Sequence, residues 1–83
     1  MYRVLLVDDE YMITEGLKVL IPFEKWKMQV VATANDAETA LAYIADNPVD
    51  LVITDVNMPG MNGLQMIEQM KTSLPNAAFI ILS

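Results

Sequence analysis

YRVLLV at positions 2–7, followed at once by Asp8, Asp9 and Glu10, sets the reading of this chain. The run is aliphatic and β-branched without alternation, which is the pattern of a parallel strand buried on both faces. Working outward, Ile13, Leu17, Leu20 and Ile21 recur at helical spacing between Glu10 and Ile21, with Thr14, Glu15 and Lys18 on the opposite side; Pro22 stops that helix. PFEKWKM (22–28) is a turn-rich connector, in which Trp26 beside Phe23 is expected to close over the end of the first helix. VVATA (30–34) is a second short strand.

The same alternation of elements runs to the end of the chain. Asn35 is expected to cap a second helix, with Glu38 three residues on reaching back as in a capping box, and Ala37, Leu41 and Ile44 as the buried stripe up to Asn47-Pro48. DLVIT (50–54) repeats the buried-strand signal; Pro59, Gly60 and Gly63 make a long turn; and Leu64 to Ser73 carries Leu64, Ile67 and Met70 at helical spacing. AFIIL (78–82) is a fourth strand. The order β-α-β-α-β-α-β with short linkers predicts an α/β fold, a doubly wound parallel sheet with right-handed crossovers and helices on both faces.

Composition narrows the chemistry. At 83 residues the chain makes one small domain, and 54% hydrophobic against 19% charged residues excludes a disordered one. The formal net charge is -6, and Arg3, Lys18, Lys25, Lys27 and Lys71 form no run, so no nucleic-acid footprint is expected of these residues. With no cysteine and no histidine, disulfides, thiolate or imidazole metal sites and Cys or His catalysis are excluded, leaving oxygen ligands. The N-terminal apolar run is too short for a signal peptide or a membrane span, which makes cytoplasmic the default expectation. The seven methionines are scattered and read as adaptable core filling.

In an open parallel sheet, ligands sit beyond the carboxyl ends of the strands. Asp8 and Asp9 end the first strand and Asp55 ends the third, so adjacent strands would gather three carboxylates within a few ångströms. Such a group repels itself unless a cation or proton intervenes, and a hard divalent ion such as Mg²⁺ is the natural counterpart. Singly, each acid has an ordinary explanation: Asp9 could cap the first helix and Asp55 could open a turn. Jointly, tandem acids after strand one, an acid after strand three and a hydroxyl, Ser83, after strand four form a coincidence that a turn explanation does not require.

MYRVLLVDDE (1–10), LVITDVNMPGMNG (51–63) and FIILS (79–83) together resemble the receiver domain of two-component response regulators, over the whole chain. The resemblance implies a flavodoxin-like fold with strand order 2-1-3-4. It implies that Asp55 is the phosphoacceptor, that Asp9 binds Mg²⁺ directly, that Asp8 supports the ion through water, and that the backbone carbonyl of Asn57 is a further ligand. Ser83 would contact a phosphoryl oxygen, and the donor would be a phosphohistidine on a sensor histidine kinase. The 22–28 connector is similar to that of receivers fused to AraC-type DNA-binding domains, which implies a transcription-regulating parent.

A complete receiver continues with a fourth helix, a fifth strand bearing a lysine and a fifth helix, so residues 1–83 are expected to be its N-terminal portion. An exposed fourth strand is then expected to drive association into a dimer or higher oligomer, or else to leave an unstable, aggregation-prone monomer. The rival reading within the family is a pseudo-receiver that keeps the fold and takes no phosphate. Outside it, a dehalogenase-like phosphatase would need an acid two residues after Asp55, where Asn57 stands, and a dinucleotide-binding unit would need a G-x-G-x-x-G after the first strand.

Overall fold

The structure, a computed structural model, describes residues 1–82. The elements in order are β1 (Tyr2–Val7), α1 (Tyr11–Leu20), a single 3-10 turn (Phe23–Trp26), β2 (Met28–Ala34), α2 (Ala37–Asp46), β3 (Leu51–Asp55), α3 (Gly63–Ser73) and β4 (Ala78–Leu82). The strands form one parallel sheet in the order β2-β1-β3-β4, as expected. Sheet pairing begins where Asp50 clamps β1: its carboxylate accepts the Arg3 N–H at 2.7 Å, and its own N–H donates to the Arg3 carbonyl at 2.8 Å.

β1 and β3 are central and sealed on both sides, which is why their sequences do not alternate. Leu5, Val7 and Val52 face α2 and α3, where Ala37, Ala40, Ile44, Met66 and Met70 close over them. Val4, Leu6, Leu51 and Ile53 face the other way, beneath Phe23, Leu17 and Ile21.

Several local expectations are corrected. On α1 only Thr14 is buried; Leu17 and Ile21 pack on the sheet, while Ile13 and Leu20 are exposed, because among the described residues no second element covers that flank of the helix. Trp26 is 63% exposed and is not the lid; Phe23, 7% exposed, is. The connector tightens into the 3-10 turn and ends on Lys27 in the left-handed region (φ 59), so β2 starts at Met28, two residues earlier than its apolar run.

Asp36, not Asn35, caps α2, its carboxylate accepting the Thr39 N–H at 2.7 Å. With the cap at 36, Glu38 falls at the second helical position, one short of where a capping box needs it. Leu41 is half-buried at the margin of the α2 core. On α3, Leu64 is 52% exposed and Met66, Ile67 and Met70 make the buried arc; two residues turn a helix by about 200°, which puts Leu64 opposite Met66.

Candidate phosphoacceptor and cation site

β1 delivers Asp8 and Asp9, and β3 delivers Asp55, to the same end of the sheet. Asp8 follows Val7 directly and its N–H donates to the Ala34 carbonyl of β2 at 3.0 Å, so the chain is still held in sheet geometry when the first acid appears. Asp55 is the last residue of β3 itself. One carboxylate oxygen from each of Asp8, Asp9 and Asp55 lies within 4.8 Å of the others.

The ordinary explanations of these acids can now be tested. The N-cap position of α1 belongs to Glu10 and has no side-chain cap, so Asp9 does not serve the helix. Asp8 does serve a turn, since its Oδ1 accepts the Glu10 N–H at 2.9 Å. Asp55 does so in part: its Oδ1 accepts the Asn57 N–H at 3.2 Å. One hydrogen bond engages a fraction of what a carboxylate can accept, and each acid retains acceptor capacity.

Electrostatics mark Asp8. It is 7% exposed, and burial is the main cause that raises its carboxyl above the usual range. The Glu10 N–H pulls the other way, and the charges of Asp55 and Asp9 push it up further. Divalent magnesium, with bonds of about 2.0–2.1 Å to oxygen, sets its ligand oxygens about 3–4 Å apart. A 4.8 Å cluster meets that spacing after small side-chain rotations or with a water in place of one carboxylate. The donor set, oxygen only and triply acidic, fits a hard cation.

Two features beneath the acids were not anticipated. Gly63 starts α3 against the backbone of Asp55: a Cβ there would collide with the Asp55 carbonyl oxygen, so only glycine lets the helix approach the acceptor this closely. Asn62 and Gln65 form a complete capping box, with Gln65 N–H to Asn62 Oδ1 at 2.9 Å and Asn62 N–H to Gln65 Oε1 at 3.0 Å. The N-x-x-Q spacing carried that signal in the sequence. Beside the acids, Asp8 and Asp9 also line a cleft of about 310 Å³ with Tyr11, Thr14, Thr33 and Thr39, which gives an approach from the β2 side. Asn57 is exposed in the turn after β3. Ser83 lies outside the described residues; Leu82, which precedes it, is in register with Asp55.

Comparison with known proteins agrees with this geometry. Residues 4–83 match the family model of the response regulator receiver domain. The transcriptional regulatory protein HptR of Staphylococcus aureus is 39% identical over the whole chain, which covers 32% of that protein. The receiver domain of AraT, a response regulator from Geobacillus stearothermophilus, superposes with a TM-score of 0.90 at 38% identity, over 96% of this chain and 62% of that one. A two-component transcriptional regulator AraC from Clostridium phytofermentans does so at 0.92 and 27% identity, over 98% and 63%. The chain spans 23 to 32% of the length of the curated relatives it matches. With its strand order, its acidic pair after β1 and its aspartate ending β3, this chain belongs to the response regulator receiver family.

Proposed function

We propose that this domain accepts a phosphoryl group on Asp55 from a phosphohistidine of a sensor histidine kinase, in the presence of Mg²⁺ held at Asp8, Asp9, Asp55 and the Asn57 carbonyl. The observation that carries this reading is the three-carboxylate cluster at the ends of β1 and β3. When bound, the cation neutralises charge that builds on the phosphoryl oxygens, the main demand of a loose phosphoryl-transfer transition state.

The chain's own residues supply position. The Asn57 N–H holds one oxygen of Asp55, which orients the carboxylate while its other oxygen attacks phosphorus in line, as the bond from phosphorus to the donor imidazole nitrogen breaks and the imidazole leaves. Asp8, buried and tied to the Glu10 N–H, keeps a fixed negative charge facing the site, and Asp9, free of any helix cap, turns its carboxylate to the same place. Ser83 would donate to a phosphoryl oxygen. The chain has no histidine, so the donor imidazole comes from the partner.

Residues 1–83 would then form the N-terminal portion of a receiver that acts by being modified, not by turning over substrate. Its phosphorylation would control a DNA-binding output domain, as the regulators it is similar to suggest, in the cytoplasm. None of the described helices is long and apolar enough to cross a membrane.

Incubation with a small phosphodonor and Mg²⁺ tests the proposal. The label should be an acyl phosphate, cleaved by alkali and by hydroxylamine, and it should be lost in Asp55→Asn and on chelation. Mg²⁺ titration should show weak binding abolished by Asp9→Ala and little changed by Glu10→Ala. Binding with no phosphate uptake by the native chain would support the pseudo-receiver reading instead.

A further inference from the structure

β2 does not keep one register against β1. Tyr2, Arg3 and Val4 pair with Met28, Gln29 and Val30, but Leu5, Leu6 and Val7 pair with Ala32, Thr33 and Ala34, which leaves Val31 as an extra residue in the strand. Side chains alternate along a strand, so a slip of one residue sends every later side chain to the opposite face. The packing records the switch. Met28 and Val30 lie against the cluster on the α1 side, whereas Val31, Ala32 and Ala34 belong with the cluster under α2 and α3. Thr33, between Ala32 and Ala34, is thereby turned to the α1 side; an uninterrupted strand would put it beneath α2. Bulges recur beside functional sites, where they re-aim a side chain.

The slip brings Thr33 to the same cleft as Thr14, the one of about 310 Å³ whose walls include Asp8 and Asp9. Thr14 is the single buried residue of α1, 3% exposed, and its hydroxyl donates to the Tyr11 carbonyl at 2.9 Å. That commits its proton to the helix, so toward the cleft its oxygen can only accept. No lysine or arginine lines the cleft. It is therefore unsuited to a phosphoryl group or another anion, while hydroxyl oxygens beside two carboxylates suit the water around a cation.

We propose that Thr14 and Thr33 are positioning residues of the cation site: from the wall of the cleft they accept hydrogen bonds from water retained by a Mg²⁺ at Asp8 and Asp9. This role rests on the reading of those acids as the Mg²⁺ site. Mg²⁺ gives up its water reluctantly and usually takes only one or two carboxylates, so several waters stay with it. Water on a dication directs its protons outward, and acceptors placed to receive them tighten binding, as the outer partners of metal ligands do. The cleft has room for several such waters, at about 30 Å³ each. β2 thus contributes to a site whose carboxylates all come from the ends of β1 and β3.

Calorimetric titration of Mg²⁺, and separately of Ca²⁺, into the metal-free protein reads the result. Thr33→Val keeps the shape and strand preference of the side chain while removing its oxygen, so circular dichroism should remain native. It should weaken Mg²⁺ binding about three- to tenfold, the range of one lost hydrogen bond. Thr14→Val should weaken it at least as much, and Thr14→Ser and Thr33→Ser, which keep the oxygen, should bind within about twofold of the native protein. Ca²⁺ holds its water less tightly and accepts more protein oxygens, so its affinity should change less than about twofold in all four variants. A general disturbance of the site would instead weaken both ions alike. Equal losses for the two ions, native Mg²⁺ affinity in Thr33→Val, or serine variants no better than the valine ones would each overturn the proposal. Asp9→Ala separates this from the parent reading. If the native protein binds no Mg²⁺, or Asp9→Ala binds it as well as the native protein, the cation site itself fails and the positioning role falls with it. Loss of binding in Asp9→Ala with none in Thr33→Val sinks the positioning role alone.

Discussion

On the side of the sheet covered by α2 and α3, the buried cluster has twelve members among the described residues, including Leu5, Val52, Met66 and Met70 at 0% exposure. On the side covered by α1 the cluster has five, and α1 contributes to it only half-buried Leu17, with Ile21 at its end. Both sides face the same two central strands. Residues of the same chemistry consequently meet opposite fates: Met66 is wholly buried and Met12 is 79% exposed, Leu5 is sealed and Leu20 is 79% exposed. A single helix covers a strip of sheet about 10 Å wide, whereas two adjacent helices also bury each other's flanks.

The largest expected effect tests this contrast directly. Met70→Ala should cost about 2–5 kcal/mol in urea denaturation, as large-to-small changes in a closed core do. Leu17→Ala should cost less than about 1.5 kcal/mol, because its site is already partly wet. Equal losses would mean that the α1 side is as well packed as the other.

The glycines sharpen the comparison. Gly63→Ala forces a Cβ into the Asp55 carbonyl and should destabilise by about 1–3 kcal/mol, with weaker Mg²⁺ binding as the acceptor is displaced. Gly16→Ala on α1 meets nothing within 4 Å and should stabilise by roughly 0.5–1 kcal/mol, through helix propensity alone. Thermal denaturation of the two variants should therefore shift in opposite directions.

Helix caps come next. Asn62→Ala removes the capping box of α3 and should cost about 1 kcal/mol. Asp36→Ala should lower Tm while Asn35→Ala leaves it unchanged; the reverse would restore the Asn35 cap expected from the sequence.

The smallest expected effect is a pH slope in metal-free protein. The Asp8 carboxyl is raised in the folded state, mainly by burial, so the folded form holds its proton to higher pH than the unfolded chain. Stability should therefore fall as pH rises from 3.8 to the raised value and level off above it. Asp8→Asn should remove that part of the slope and leave the domain more stable near neutrality. A slope of opposite sign would mean that hydrogen bonding to Asp8, not its burial, governs the site.

Much of the site was legible because its signals are local. Tandem acids directly after a buried strand, and another acid at the end of a second one, are sequence facts, and parallel topology requires only that the two strands be neighbours. Gly63 was legible only as a turn former. Its role depends on how close α3 comes to Asp55, a long-range contact that no periodicity records. The Asn35 expectation failed by one position because two adjacent residues can both cap, and the backbone, extended at Asp36, makes the choice.

By itself the sequence determined the element order, the parallel sheet, the acids available and the exclusion of Cys and His chemistry, since hydrophobic period and residue type act within a few residues. Only the tertiary structure decided which apolar residues are buried. Trp26 and Phe23, or Leu64 and Met66, are equally apolar as letters; whether each leaves water depends on what packs opposite it, and that is set by elements distant in the chain.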